Sequence, residues 1–498
     1  MNNLSETQLL KKVASFRCLL RRGHFMDDQL RREPKETKQI ASILGVIIMG
    51  TFVTILNQTL MSTALPSIMK EFSITTTQGQ WLTTAYMLIN GIMVPITAYL
   101  VNRFTTRQLY LFAMSTFSVG TLVAATSKIY SLLIVGRMIQ AIGAGIVLPL
   151  QMIVILFLFP IEKRGAAMGL IGLAMNFAPA IGPTFSGWVV QNYEWNRIFY
   201  FVLPFAVLDV LVAFFVLKNV GEIGRPKLDW LSVIYSTIGF GGLLFGFSNA
   251  SSHPFFSINV ALSIFVGISS IILLVKRSKQ LKNPLLDFRV FKYQGYRLNL
   301  MISFIITAGL YGAIILLPIY FQTIRGLSPM QSGMILLPGA LVLAVMSPIT
   351  GRLFDKYGGK KLAIIGLILI TTMTVMIGFI DLETPIRTIV ILQMIRSLGF
   401  SLTLMPLQTG AYNAVPLSMA PDASAMFNTQ RQLAGSMGTA LFVVVMTLAS
   451  NTVAVKALNS VQLANLAGFQ AVFLLVGGFS FVALVMTVFM KDDTMIRE

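Results

Sequence analysis

The sequence predicts an all-α polytopic membrane protein of fourteen transmembrane helices, with both termini cytoplasmic. Three observations predict it. First, 55% of the 498 residues are apolar and only 11% charged, with mean hydropathy +0.77, whereas soluble domains carry about a quarter charged residues. Second, apolar runs recur along the whole length, each near the ~20 residues needed to cross ~30 Å of hydrocarbon. Third, the basic residues segregate between alternate loops. With the N-terminus inside, 29 of the 38 lysines and arginines fall in cytoplasmic segments and 6 outside, with Arg137, Arg396 and Arg431 inside spans. That split is the positive-inside rule, so the +19 net charge encodes orientation rather than a nucleic-acid partner.

The elements follow in order. Residues 1–40 form a basic cytoplasmic tail without the apolar core of a secretory signal. It is read as disordered, with a short interfacial helix over LLKKVASFRCLLRR as the alternative. Met26 is an alternative start, and Cys18, the only cysteine, excludes an internal disulfide framework. Spans are expected at 41–66, 81–101, 109–127, 131–158, 166–188, 196–217, 230–249, 257–275, 298–320, 334–350, 362–380, 389–411, 425–449 and 467–490. A tail over 491–498 closes the chain.

The spans repeat. Ala64-Leu65-Pro66 leads to Gln78-Gly79-Gln80, and Leu316-Leu317-Pro318 leads to Gln331-Ser332-Gly333, with the prolines 252 residues apart. The loop after span 2, with Asn102, Arg103, Thr105 and Arg107, has its counterpart 253 residues on in Gly351, Asp355, Lys356, Gly358 and Lys360. Arg137 in span 4 matches Arg396 in span 12. The expected organisation is an N-terminal six-helix bundle (41–217), an insert with helices 7 and 8 (218–297) and a C-terminal six-helix bundle (298–490). Such repeats place substrate near the midplane between bundles.

These landmarks resemble the major facilitator superfamily, and the fourteen-span count with the span 5 signature resembles its drug:proton antiporters of EmrB/QacA type. The family loop motif is fullest in the second half, at Gly351, Asp355, Gly358 and Lys360; the first half keeps Arg103 and Arg107 but has Asn102 for the acid and Thr105 for the glycine. Span 4 carries Gly136-Arg137 through Gly143-Ala144-Gly145, and span 5 carries Gly169, Ala178, Gly182-Pro183 and Ser186-Gly187. The resemblance implies a major facilitator fold and export of amphiphilic drug-like molecules by proton antiport. Physics adds that small residues let helices approach and that Gly182-Pro183 permits a bend. The Asp355/Lys356/Lys360 cluster is read as a latch between helix ends, or alternatively as a solvated turn. In span 1, Leu56-Asn57-Gln58-Thr59 stands where the family has an acid, an Asn-Gln-Thr variant similar to the lincomycin-resistance (LmrB-like) branch. Asn57 cannot titrate.

Asp209 is the one acid deep within a span, and an intramembrane carboxylate is a functional candidate by default. It is the expected proton carrier, with Arg137 as possible counter-charge and Asp422 as runner-up. Expected cavity residues are Asn57, Gln58, Tyr86, Asn90, Gln140, Asn176, Gln393, Gln408 and Arg431, amid adaptable Met and Phe surface. Three buried arginines against one buried acid leave the interior net positive, which weakens the case for cationic substrates. The only histidines are His24 and His253, and neither a metal-ligand cluster nor a phosphate-cradling loop occurs in any span. The expectation is therefore a transporter rather than an enzyme, without metal or cofactor, whose partners are small amphiphilic substrates, protons and the lipid bilayer of a bacterial plasma membrane. A metabolite transporter and a non-translocating sensor are the alternatives.

Overall fold

The computed structural model describes residues 34–219, 228–250, 257–282, 284–456 and 461–490. Cys18, His24, Met26, His253 and the tail at 491–498 lie outside the described residues, as does most of the tail at 1–40.

Among the described residues, fourteen helices are long and apolar enough to span a bilayer. They are α1 Pro34–Phe72, α2 Thr76–Arg103, α3 Thr106–Ala125, α4 Tyr130–Leu158, α5 Arg164–Asn192, α6 Arg197–Val216 and α7 Trp230–Ala250. After these come α8 Ile258–Gln280, α9 Gln294–Ile319, α10 Pro329–Tyr357, α11 Gly359–Ile377, α12 Ile386–Asn413, α13 Ala420–Lys456 and α14 Val461–Val488. Several run past the hydropathic boundaries. Helix α1 continues beyond Pro66 to Phe72, α10 begins five residues before the expected 334, and α13 extends to Lys456. The Ser328 cap sets the start of α10, and the Ile74 N–H closes the end of α1 on the Met69 carbonyl at 3.1 Å.

The sequence repeat has a local cause. Thr75 caps α2 in a capping box with Gln78, and Ser328 caps α10 in the same way with Gln331. Each hydroxyl accepts from a backbone N–H that the helix leaves unpaired, and each glutamine side chain accepts from the cap's own N–H. The next junction is solved differently in the two halves. Gly358, at φ 79°, turns the chain from α10 into α11 in a conformation that favours glycine. Its counterpart Thr105, at φ −67°, caps α3 with Gln108 instead. The first-half departure from the loop motif thus replaces a left-handed turn with a side-chain cap.

Packing follows the repeat. In the first half α1 packs on α5 and α6, α2 on α4, and α3 on α4 and α6. Adding eight to each label reproduces the pairings of the second half: α9 on α13 and α14, α10 on α12, and α11 on α12 and α14. Between halves, α5 meets α10 and α13 meets α2, which are again mates under the same operation. Helix α7 leans on α2, α13 and α8. Asp229, just before α7, forms an ion pair at 2.9 Å with Arg277 near the end of α8. The paired hydrogen bonds from Arg277 hold the Asp229 carboxyl down at about 2.

Candidate functional site

The helix ends that join the highly basic loops close against one another. At this basic end α5 and α10 approach until their backbones touch. A Cβ on Gly169 would lie 2.7 Å from the Ser347 carbonyl oxygen, and one on Gly351 would meet the Gly165 carbonyl and lie 3.1 Å from the Gly169 Cα. Only hydrogen fits at these positions. Lys163 gives α5 no side-chain cap, so its first N–H groups need another acceptor. Asp355 of α10 supplies it, accepting from Gly165 at 2.9 Å and Ala166 at 2.8 Å. A carboxylate at a helix N-terminus also opposes the helix dipole favourably. Beside it Arg164 donates to Asn413 of α12 at 3.0 Å and to the Phe159 and Leu156 carbonyls. On the symmetric seam, Ser424 of α13 donates to the Pro149 carbonyl of α4 at 3.1 Å.

Deeper in, a belt of polar groups crosses the interface. Thr51 of α1 donates to Gln151 of α4. Gln151 and, from the other half, Arg431 of α13 both approach the sulfur of Met175 on α5, each at 3.9 Å. Asn176 of α5 donates to Ser347 of α10 at 3.1 Å, and Gln432 of α13 donates to Asn90 of α2 at 2.5 Å. Gln408 lies below the belt on α12, donating to Tyr412 at 3.3 Å. Among the described residues, Asn90–Gln432 marks the limit of hydrogen bonding between the halves: Asn90 lies thirteen residues from the end of α2, about 20 Å of rise. Toward the opposite end the halves share no further hydrogen bond among those residues. The hydrogen bonds between the halves are therefore confined to the basic end and the polar belt, with Asn90–Gln432 as their limit among the described residues.

Other expected site residues sit elsewhere. Asn57 is 1% exposed with neither amide atom partnered. It lies two turns after Gly50, on the stripe of α1 facing Tyr110 and Asp209 rather than the other half. Gln58, one residue on, is half-buried. Gln140 is enclosed within the first half, donating to Thr121 at 2.8 Å and accepting from Arg137 at 2.9 Å. Arg137 stacks over the Tyr86 ring at 4.2 Å, so both belong to the α2–α4 seam. Arg396 is buried between Phe400 and Phe473 of the second half, and none of its nitrogens has a partner among the described residues. Gln393 lies against Gly339 of α10.

Asp209 is 2% exposed, at the meeting of α1, α3 and α6. The Tyr110 hydroxyl lies 2.8 Å from its Oδ2 and 2.9 Å from the Val46 carbonyl, sharing one proton between them. A Cβ on Gly50 would collide with that hydroxyl. The structure does not bring Asp209 and Arg137 together. Asp422, in the first turn of α13, accepts from the Asp287 N–H at 2.8 Å and so anchors the α8–α9 link.

Among the motif residues, Gly182 faces Thr59 and Gly187 faces Thr63, both on α1, while α5 runs unbroken through Pro183. Arg107 donates to the Phe214 carbonyl at 2.5 Å, whereas Arg103 is exposed. Of the loop cluster only Asp355 bridges the halves. Lys356 lies over its neighbour Tyr357, and Lys360 donates to the Val488 carbonyl at the end of α14. Sequence reasoning missed Gln151, Arg164, Ser347 and Asn413. Gln151 carried a signal, a lone amide within the apolar run LPLQMIVILF; Arg164 looked like any loop cation.

Comparison with known proteins follows this geometry. The Major Facilitator Superfamily profile matches residues 47–439. An uncharacterized MFS-type transporter of Bacillus subtilis (strain 168), YcnB, is 44% identical over 449 residues, 90% of this chain and 94% of that one. The lincomycin resistance protein LmrB of the same organism is 40% identical over 410 residues, covering 82% and 86%. Among solved structures, the proton:xylose symporter XylE superposes with a TM-score of 0.65 at 16% identity, over 92% of this chain and 97% of that one, which is a likeness of fold. The chain is a multi-pass membrane transporter and belongs to the major facilitator superfamily.

Proposed function

We propose that this transporter is a secondary exporter of amphiphilic drug-like molecules that works by alternating access and is driven by proton antiport. One observation carries the reading: the halves are sealed at the basic end by Asp355 and by the close approach of α5 and α10, while the polar belt lies where the seal ends. With the basic end cytoplasmic, as its loop charges imply, this is the state that releases substrate outward. Opening the seal breaks few bonds, most of them at helix ends, so the halves can rock about the belt. Relatives named for lincomycin and multidrug resistance are in keeping with drug export.

Asp209 is the proposed proton carrier. A charged acid at mid-bilayer costs about 2.5–3.5 kcal/mol, so its carboxyl is a natural place to exchange a proton as Gly50 of α1 shifts past the Tyr110–Asp209 pair. A second reading, facilitated movement without proton coupling, is favoured by one observation: the belt itself holds no carboxylate, and Asn57 stands at the family's acid position.

The two readings separate in proteoliposomes. Substrate uptake with and without an imposed proton gradient, in wild type and Asp209→Asn, is the test. Gradient-driven accumulation that Asp209→Asn abolishes while binding persists supports antiport. Equilibration alone, unchanged by the gradient or by the substitution, sinks antiport and leaves facilitated movement.

A further inference from the structure

Arg431 is the cation of the polar belt, and its surroundings specify what it meets. It sits half-buried eleven residues into α13, about 16 Å of rise from that helix's start. Among the described residues its one hydrogen-bond contact is the thioether of Met175, a weak acceptor, at 3.9 Å. No acid lies within ion-pair distance of it among the described residues. The acids within the spans are committed elsewhere: Asp209 to Tyr110, and Asp422, more than two turns away on the same helix, to the Asp287 N–H. Asp355 is held at the α5 N-terminus. A partly desolvated guanidinium without a counter-charge is costly, and its planar fork of donors matches an oxyanion.

Beside it lie the other parts a ligand needs. Asn90, Gln432 and Asn176 supply amide groups at the same depth. Phe52 of α1 and Phe177 of α5, half-buried with ring centroids 6.4 Å apart, supply an aromatic surface next to Thr51 and Asn176.

We infer that the belt selects amphiphiles carrying one oxyanion, a sulfonate, phosphate or carboxylate group on an aromatic or otherwise apolar body, with Arg431 as the counter-charge. This deepens the exporter reading and rests on it for the direction of transport. It also accounts for the missing carboxylate. An inside-negative potential drives a monovalent anion out of the cell, so its exit needs no acid in its own cavity.

Three matched probes test it: naphthalene-2-sulfonate, naphthalene-2-sulfonamide and 2-naphthylmethylammonium, with binding to the protein in zwitterionic-lipid nanodiscs measured by equilibrium dialysis. The sulfonate is expected to bind about tenfold or more tightly than the ammonium probe, as a charge-assisted pair with a half-buried guanidinium requires. Arg431→Gln should erase that preference and Arg431→Lys should keep most of it, with thermal unfolding confirming that both variants fold. Equal or tighter binding of the ammonium probe overturns the inference, as does a sulfonate preference that survives Arg431→Gln or the failure of all three to bind folded wild type. Proteoliposome flux separates this from the exporter reading. Arg431-dependent sulfonate binding without flux upholds the ligand class and sinks export.

Discussion

The carboxylate of Asp355 accepts a hydrogen bond from the backbone N–H of Gly165 at 2.9 Å, joining the end of α10 to the start of α5 in the other half. The first-half counterpart of Asp355 is Asn102, whose amide bonds back to the Ala98 carbonyl of its own helix. The seal is therefore asymmetric: one seam is latched by a carboxylate on a helix end, while its mate depends on Ser424 and the Asn90–Gln432 pair.

Removing the cap should loosen one seam only. Asp355→Ala removes an acceptor worth about 1 kcal/mol at a helix N-terminus, which is about fivefold in an open–closed equilibrium. Spin labels at the ends of α5 and α10 should report a larger population at long distance. An unchanged distance distribution would show that the capping bond does not hold the seal.

Gly351→Ala places a methyl group against the Gly165 backbone, where neither partner can rotate away. It should bar the sealed state and stop transport while leaving helical content unchanged. Gly187→Ala is the control, because its Cβ would meet only the Thr63 methyl at an ordinary 3.6 Å. Equal transport by the two variants would sink the close-approach argument.

Tyr110→Phe removes the Asp209 partner without changing shape. Leaving a buried polar group unsatisfied costs about 1–3 kcal/mol, so thermal unfolding in detergent should fall measurably, and Asp209→Asn should lose less because the amide oxygen still accepts. A Tyr110→Phe protein as stable as wild type would show that the bond contributes nothing.

The pair Asp229–Arg277 gives a pH signature. With its carboxyl held at about 2 when folded, against an ordinary value near 3.9, Asp229 adds stability that is fully present above about pH 4 and is lost as pH falls toward 2. Asp229→Asn should therefore unfold at a lower temperature than wild type at pH 7, by a small margin since the pair is partly exposed. The gap should narrow as the pH drops below 4; a gap constant with pH would rule out the ion pair as its source.

Much was legible in the sequence because the bilayer imposes it. Apolar length and loop charge are local properties, and with the spacing of the repeated landmarks they sufficed for the fourteen spans and the offset of eight helices between the halves. Asp355 was read, with Lys356 and Lys360, as a latch between helix ends or a solvated turn; its carboxylate reaches Gly165 and Ala166 of the other half, whereas the two lysines contact their own half.

The site was less legible, because a helix's polar residues do not reveal which way they face. Asn57 and Gln58 are adjacent, yet only packing turns one into the first bundle beside the Tyr110–Asp209 stripe and leaves the other half-buried. Gln140 and Gln151 share one helix, yet Gln140 is taken up by Arg137 and Thr121 while Gln151 joins the belt. The sequence by itself determined the solvent, the number of crossings and the repeat, since these follow from composition and from bonds within a few residues. Tertiary structure alone decided that Asp209 answers to Tyr110 rather than Arg137, and that Arg431 stands without an acid among the described residues. Both outcomes depend on where separate helices meet, over sequence separations that no local pattern encodes.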